Sequence, residues 1–185
     1  MSLGNAFGAA MKYAVLGLIA SVTATAALAA APAANLQINL KNSTGGSAGT
    51  VTLREAPNGV LLRLEAKGLT PGWHGLHFHE KGDCSAAGFT SAGAHVHGKA
   101  SVVHGLLNPD GNEAGDLPNL YVAADGTGTA ELFSSSTSLS GKGARPALMD
   151  TDGSALVIHA NPDDYKSQPI GGAGPRVACG VIPKG

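Results

Sequence analysis

Three times between residues 36 and 65 the chain alternates apolar with polar side chains, and each run ends in a turn signal. Leu36, Ile38 and Leu40 flank Gln37 and Asn39; Val51 and Leu53 flank Thr52; Val60, Leu62 and Leu64 share a parity. A period of two marks a strand with one buried face, and a slip of one residue would turn the whole apolar set to water. The breaks are as specific: Asn-Ser-Thr-Gly-Gly-Ser at residues 42–47, then Pro57-Asn58-Gly59, where Asn-Gly signals a tight hairpin. Thr70-Pro71-Gly72 leads into a fourth strand at 73–80, and short runs follow at 119–123, 129–133, 155–159 and 177–182. No sustained helical period appears, and Gly is abundant at 27 residues while aromatics make up 4%. Eight or so short strands joined by turns predict an all-β sandwich or barrel.

Two segments break that rhythm. Residues 81–118 are rich in Gly, Ala, His, Asn, Asp and Pro with no apolar period, and residues 161–176 form a second long Gly- and Pro-rich loop. Loops beyond about 15 residues are uncommon inside a compact domain and are usually functional. Something other than apolar burial has to hold the first of them, and metal or disulfide cross-links are expected.

The chain has 185 residues and a formal charge of -1. That suits one cored domain and gives no charge excess favouring nucleic acid or bulk membrane binding. Lys12 precedes an alanine-rich apolar run at 14–30, with Ala27-Leu28-Ala29 as a small-x-small cleavage site. Residues 1–29 therefore read as a secretory signal, with Met11 a second candidate start, and 30–185 as the mature domain. A membrane anchor is the weaker alternative, because the run is only weakly hydrophobic. Export permits disulfides. The two cysteines, Cys84 and Cys179, favour a bridge over two buried thiols; closing so long a loop is worth about 3–5 kcal/mol on the chain-entropy model.

Six of the seven histidines fall between residues 73 and 104. In a strand, His77 and His79 project from one face at about 7 Å spacing while Phe78 enters the core, which suits two ligands of one metal. Alone that pair is weak, since paired surface histidines are common. His95, His104 and Asp116 in the following loop strengthen it, because imidazole and carboxylate ligate zinc and imidazole also suits copper. His159 ends a late apolar strand and could reach the same face. His74 reads as a packing or surface histidine.

These residues carry a family resemblance. From about Leu36 to Ile182 the chain resembles an exported bacterial copper/zinc superoxide dismutase, through Gly75-Leu76-His77-Phe78-His79-Glu80, Cys84, Ser91-Ala92-Gly93-Ala94-His95, His104-Gly105, Gly115-Asp116-Leu117-Pro118-Asn119, Leu156-Val157-Ile158-His159 and the segment from Gly171-Gly172-Ala173-Gly174-Pro175-Arg176 through Cys179. The motifs follow the family's order and spacing. The resemblance implies a Greek-key antiparallel β-sandwich or flattened barrel of about eight strands with two long functional loops. It implies copper on His77, His79, His95 and His159, and zinc on His95, His104 and Asp116, with His95 bridging the two metals. Arg176 would orient an anion beside copper, and Cys84–Cys179 would be the family disulfide. The implied reaction converts superoxide to dioxygen and hydrogen peroxide by alternate reduction and reoxidation of copper, with His95 carrying a proton. The implied location is the periplasm, with superoxide as partner, no nucleic acid, no stable membrane insertion after signal cleavage, and a homodimer left open.

One zinc position departs from the pattern. The third zinc histidine of the family falls at Glu113, which can ligate through oxygen and would make a harder, more anionic site. His97 is a weaker substitute, because it does not stand at the matching position. Two alternatives follow from the departure: a copper-only dismutase, and a non-catalytic copper- or zinc-binding protein on the same scaffold.

Overall fold

The computed structural model describes Met1, Gly4 and residues 35–98, 101–141 and 143–185. The expected signal at 1–29 lies, but for Met1 and Gly4, outside the described residues. All eight expected strands form: β1 Asn35–Asn42, β2 Ser47–Ala56, β3 Gly59–Ala66, β4 Gly72–His79, β5 Asp116–Val122, β6 Gly128–Ser134, β7 Ser154–His159 and β8 Arg176–Ile182. Their hydrogen-bonded order is β5-β4-β7-β8-β1-β2-β3-β6, antiparallel throughout. The two end strands, β5 and β6, are consecutive and lie side by side, so the sheet nearly closes into a flattened barrel. The links from β3 to β4 and from β6 to β7 cross between distant positions of the sheet, which makes the connectivity Greek-key.

The alternating residues fill the barrel. Leu40, Leu53, Leu62, Leu64, Leu76, Phe78, Leu120, Leu156, Ile158 and Ile182 are fully buried in one cluster. Each contributes about 1.5–3 kcal/mol relative to exposure. β7 is buried along its whole length, because both its faces are covered. Leu156 and Ile158 enter the barrel, while Ala155 and Val157 meet Phe89, Ala92 and Cys179 in a second, smaller cluster outside it. β4 pairs with β7 in the register His77 to Val157 and His79 to Ala155. Both histidines therefore share the outer face with that smaller cluster, as the strand alternation predicts.

The long loop after β4 is covalently and locally tied. Cys84 bonds Cys179 of β8 across 95 residues of sequence, with Cα atoms 5.9 Å apart. Residues Ala87–Ala92 form a short 3-10 helix absent from the sequence reading, in which Gly88 and Phe89 take positive φ. Its six residues show no apolar period; its place is set by Phe89, which caps the second cluster. The segment 94–96 then runs along the end of β4, with Glu80 N–H donating to Ala94 O at 2.9 Å and Val96 N–H to Phe78 O at 2.8 Å. Gly115 closes the turn into β5 where a Cβ would overlap Phe78 O.

Candidate metal centre

Four imidazoles converge on the outer face of the barrel. β4 supplies His77 and His79, β7 ends in His159, and the segment laid along β4 supplies His95. All four are buried, and one nitrogen of each lies within 4.8 Å of the others. Their remaining nitrogens explain why. His77 Nε2 donates to Asp163 Oδ2 at 2.9 Å, His79 Nδ1 to Gly93 O at 2.9 Å, and His159 Nδ1 to Gly174 O at 3.0 Å. Carbonyl and carboxylate oxygens only accept, so each ring is held in the tautomer that leaves a lone pair on the other nitrogen. Those other atoms, His77 Nδ1, His79 Nε2, His95 Nε2 and His159 Nε2, are buried with no hydrogen-bond partner.

Behind this group lies a second one: His95, His104 and Asp116, together with His77 of the first group, offer atoms within 4.8 Å of one another, and Glu113 reaches the ring nitrogens of His95 and His104. Glu113 Oε2 is 2.9 Å from His95 Nδ1 and 2.8 Å from His104 Nδ1, and Asp116 Oδ1 lies 3.6 and 2.8 Å from the same two nitrogens. Asp116 Oδ1, though that close to His104, is not aligned for a hydrogen bond and interacts with it as a charge, while Oδ2 accepts from Gly105 N at 2.7 Å. His95 thus presents Nε2 to one group and Nδ1 to the other.

The charge environments differ sharply. Burial, reinforced by the neighbouring His95, pushes His79 down to about 2, and burial with His77 beside it pushes His159 down to about 3. Burial also lowers His77, against the opposing pull of Asp163. In the inner group burial works the same way but is outweighed. The adjacent carboxylate of Asp116 and hydrogen bonds to Asp163 and Glu113 lift His104 to about 11, and Asp116 and Glu113 raise His95. Burial would raise Asp116, yet His104 and His95 hold it well below the usual carboxylate range.

The sequence reading missed one member. Asp163 is buried between the groups, with Oδ2 on His77 and Oδ1 3.1 Å from His104 Nε2. Asn119 fixes its backbone: Asp163 N–H donates to Asn119 Oδ1 at 2.9 Å and Asn119 Nδ2 to Asp163 O at 2.9 Å. Gly171, at φ +60°, stands where a Cβ would overlap Asp163 Oδ1. A carboxylate four residues after a strand-ending histidine, in a Gly-rich loop, was the available signal. His74 is buried: Nδ1 lies 2.6 Å from His159 O and Nε2 2.8 Å from Thr70 O, so it braces the end of β7. His97 is exposed with Nδ1 on His95 O at 3.0 Å, and it joins neither group.

Arg176, the first residue of β8, pairs in register with His159. It is half-buried, and its two terminal nitrogens donate to Phe89 O and Gly93 O, both at 2.6 Å. Gly93 O also receives His79, so the guanidinium and that imidazole share one carbonyl. A cavity of about 210 Å³ opens here, lined by His79, His95, His159, Pro169, Ile170 and Arg176 among others.

The donor sets fit the two metals of the resemblance. Four lone-pair nitrogens without partners suit copper. In the inner group the four nitrogen–oxygen separations are 2.8–3.6 Å, and a tetrahedral zinc with bonds near 2.0–2.1 Å needs ligand separations of about 3.3 Å. A family model described as copper/zinc superoxide dismutase (SODC) matches residues 47–182. A superoxide dismutase (Cu-Zn) of Caulobacter vibrioides is 67% identical over 143 residues, covering 77% of this chain and 82% of that protein. A superoxide dismutase (Cu-Zn) 1 of Salmonella typhimurium is 35% identical over 185 residues, covering 94% and 100%. Among solved structures, a SOD-like protein from Bacillus subtilis superposes with a TM-score of 0.75 at 36% identity, over 80% of this chain and 99% of that one. The Cu/Zn superoxide dismutase from Brucella abortus gives 0.63 at 30% identity, over 80% and 99%. Matched from β2 to β8 and to relatives along most of its length, the chain belongs to the copper/zinc superoxide dismutase family.

Proposed function

We propose that His77 Nδ1 and the Nε2 atoms of His79, His95 and His159 hold copper. On the same reading His95 Nδ1, His104, Glu113 and Asp116 hold zinc. The observation that carries this reading is the set of four buried ring nitrogens left without partners. The chain is an enzyme of the copper/zinc superoxide dismutase type. Copper, when bound, supplies the one-electron exchange by which one superoxide is oxidised to dioxygen and a second is reduced and, with two protons, becomes hydrogen peroxide.

The residues around it do the rest. Arg176 holds a fixed positive charge at the cavity and orients a small anion there. Pro169 and Ile170 line the same cavity. His95 Nε2 faces the outer group and, when it is not bound to copper, is the atom at which this chain can hold and release a proton beside substrate. Asp163, Gly93 and Gly174 keep the other rings in the tautomer that binds metal.

The test is superoxide consumption by protein loaded with both metals, against buffer with the same chelated copper. Wild type should be far faster, and His159→Ala should fall to the buffer rate. No excess over buffer would sink the dismutase reading in favour of a metal-binding protein without catalysis. One zinc per copper in protein purified without chelator would exclude the copper-only form.

Residues 30–185 as the mature, periplasmic domain form part of the same proposal. It rests on the Lys12 and alanine-rich leader pattern, and a Cys84–Cys179 disulfide agrees with an oxidising compartment. Among the described residues no helix is long and apolar enough to cross a membrane. A homodimer is supported by Trp73 of β4 and Tyr121 of β5, which stack edge-on at 5.0 Å yet stay 56% and 55% exposed. Sedimentation should then show a dimer that Trp73→Ser dissociates.

A further inference from the structure

The outer group offers four nitrogens and no oxygen. With His77 turned to the outer group, the inner one is left with the Nδ1 atoms of His95 and His104 and the carboxylate oxygens of Asp116 and Glu113. At any site of nitrogen and oxygen donors Cu(II) binds more tightly than Zn(II), so affinity alone would put copper in both. Geometry and donor type are the levers left, and imidazole favours copper more than carboxylate does. Residue 113 sets the inner balance. An imidazole there would make the set three nitrogens to one oxygen, and the glutamate makes it two to two. Glu113 stands fully inside the group: its Oε2 is 2.9 and 2.8 Å from the two Nδ1 atoms and its side chain is only 8% exposed.

We infer that Glu113 is a specificity residue that keeps copper out of the inner site, so that the chain sorts its two metals by donor type. The inference rests on the two-metal reading above and assigns to this one side chain a role in choosing which ion enters. A merely structural Glu113, pairing with two histidines to hold the loop, would affect stability but not metal choice.

The experiment uses the full mature chain, stripped of metal, given one equivalent of Cu(II), and then challenged with equimolar Zn(II) and Cu(II) for the second site. Mass spectrometry of the washed protein reads the Zn:Cu ratio, and electron paramagnetic resonance reads a second, coupled Cu(II). Wild type should take mostly zinc at the second site. Glu113→His should bind both ions but shift the ratio toward copper by about tenfold. Glu113→Asp retains a carboxylate and should stay near the wild-type ratio, which keeps the test open if the histidine variant does not fold. An unchanged ratio in Glu113→His, or a shift in Glu113→Asp as large as that expected for histidine, overturns the sorting role alone. A wild type that takes copper but no second ion overturns the two-metal reading together with it.

Discussion

Oδ2 of Asp163 accepts a hydrogen bond from His77 Nε2 at 2.9 Å, and neither side chain is exposed. Because its Oδ1 lies 3.1 Å from His104 Nε2, one carboxylate sets the ring orientation of a residue in each group. Asp163→Ala should leave three donors without an acceptor, the rings of His77 and His104 and the Tyr165 N–H, at about 1–3 kcal/mol for each that is buried. Loss of such an outer partner should weaken metal binding about 10–100-fold. Asp163→Asn keeps the shape but only one accepting oxygen, so its loss should be smaller. Chelator competition and melting of the metal-free protein check this, and wild-type affinity for both metals in Asp163→Ala would refute the bridge.

Arg176 is both a charge and a fixture. Arg176→Ala should lower kcat/KM for superoxide by about ten- to a hundredfold, the range expected when a local charge guides an anion into a cleft. The remaining rate should also depend less steeply on salt. Arg176→Lys should recover only part of it, because lysine cannot donate at once to Phe89 O and Gly93 O as the guanidinium does. A kcat/KM in Arg176→Ala equal to wild type, with metal content intact, would remove the residue from substrate guidance.

The two groups should differ in the protons they release. In the metal-free chain His104 is raised to about 11 and is protonated at pH 7, so a zinc ion held by His104 as proposed would displace a proton from it. His79 and His159, at about 2 and 3, are already neutral there. Calorimetry in buffers of different ionisation heat should therefore find proton release with zinc that exceeds that with copper. Stability follows with opposite signs. The His104 contribution is full below its unfolded value of 6.5 and is lost as pH rises toward 11. For His79 and His159 the unfolded chain takes up protons first as pH falls from about 6.5 to about 3, so stability falls with it. Metal-free protein should melt highest at a pH between these limbs, and a melting temperature still rising at pH 9 would contradict the His104 assignment.

Much of this was readable in the residues. The parity of Leu36, Ile38 and Leu40 with their later counterparts locates the strands, because burial on one face leaves a period that turns interrupt. His77 and His79 follow from the same parity. Asp163 did not, because it acts through a loop whose path depends on Asn119 far away in sequence and on a glycine at 171. The short helix at Ala87–Ala92 was hidden for a related reason: one buried Phe89 in a small satellite cluster leaves no periodic trace.

The disulfide closes a loop of 95 residues that holds both His95 and His104. Replacing Cys84 and Cys179 together by serine should lower the stability of the metal-free protein by about 4–5 kcal/mol on the chain-entropy model. The loss should shrink once zinc is bound, since zinc on His95, His104 and Glu113 would tie the same loop to Asp116 at the start of β5. Denaturant unfolding of the two forms measures both numbers. Equal losses with and without zinc would show that metal and disulfide constrain different segments.

Gln168 fastens one long loop to the other. Its Oε1 accepts from His104 N at 3.0 Å, and its Nε2 donates to His104 O at 2.9 Å and to Lys166 O at 3.0 Å. The next two residues, Pro169 and Ile170, line the cavity beside the outer group. The wall of that cavity is thus attached to the backbone of an inner-group residue. Each hydrogen bond is worth about 0.5–1.5 kcal/mol, so removing the pair on His104 should speed zinc loss to a chelator by about tenfold. Gln168→Ala should also raise amide exchange across residues 161–175 while leaving copper affinity near wild type. Gln168→Glu is the sharper control: it keeps an acceptor for His104 N but sets a carboxylate against His104 O. It should therefore fare no better than alanine, and a glutamate variant with wild-type zinc retention would show that the amide pairing on His104 does not hold the site.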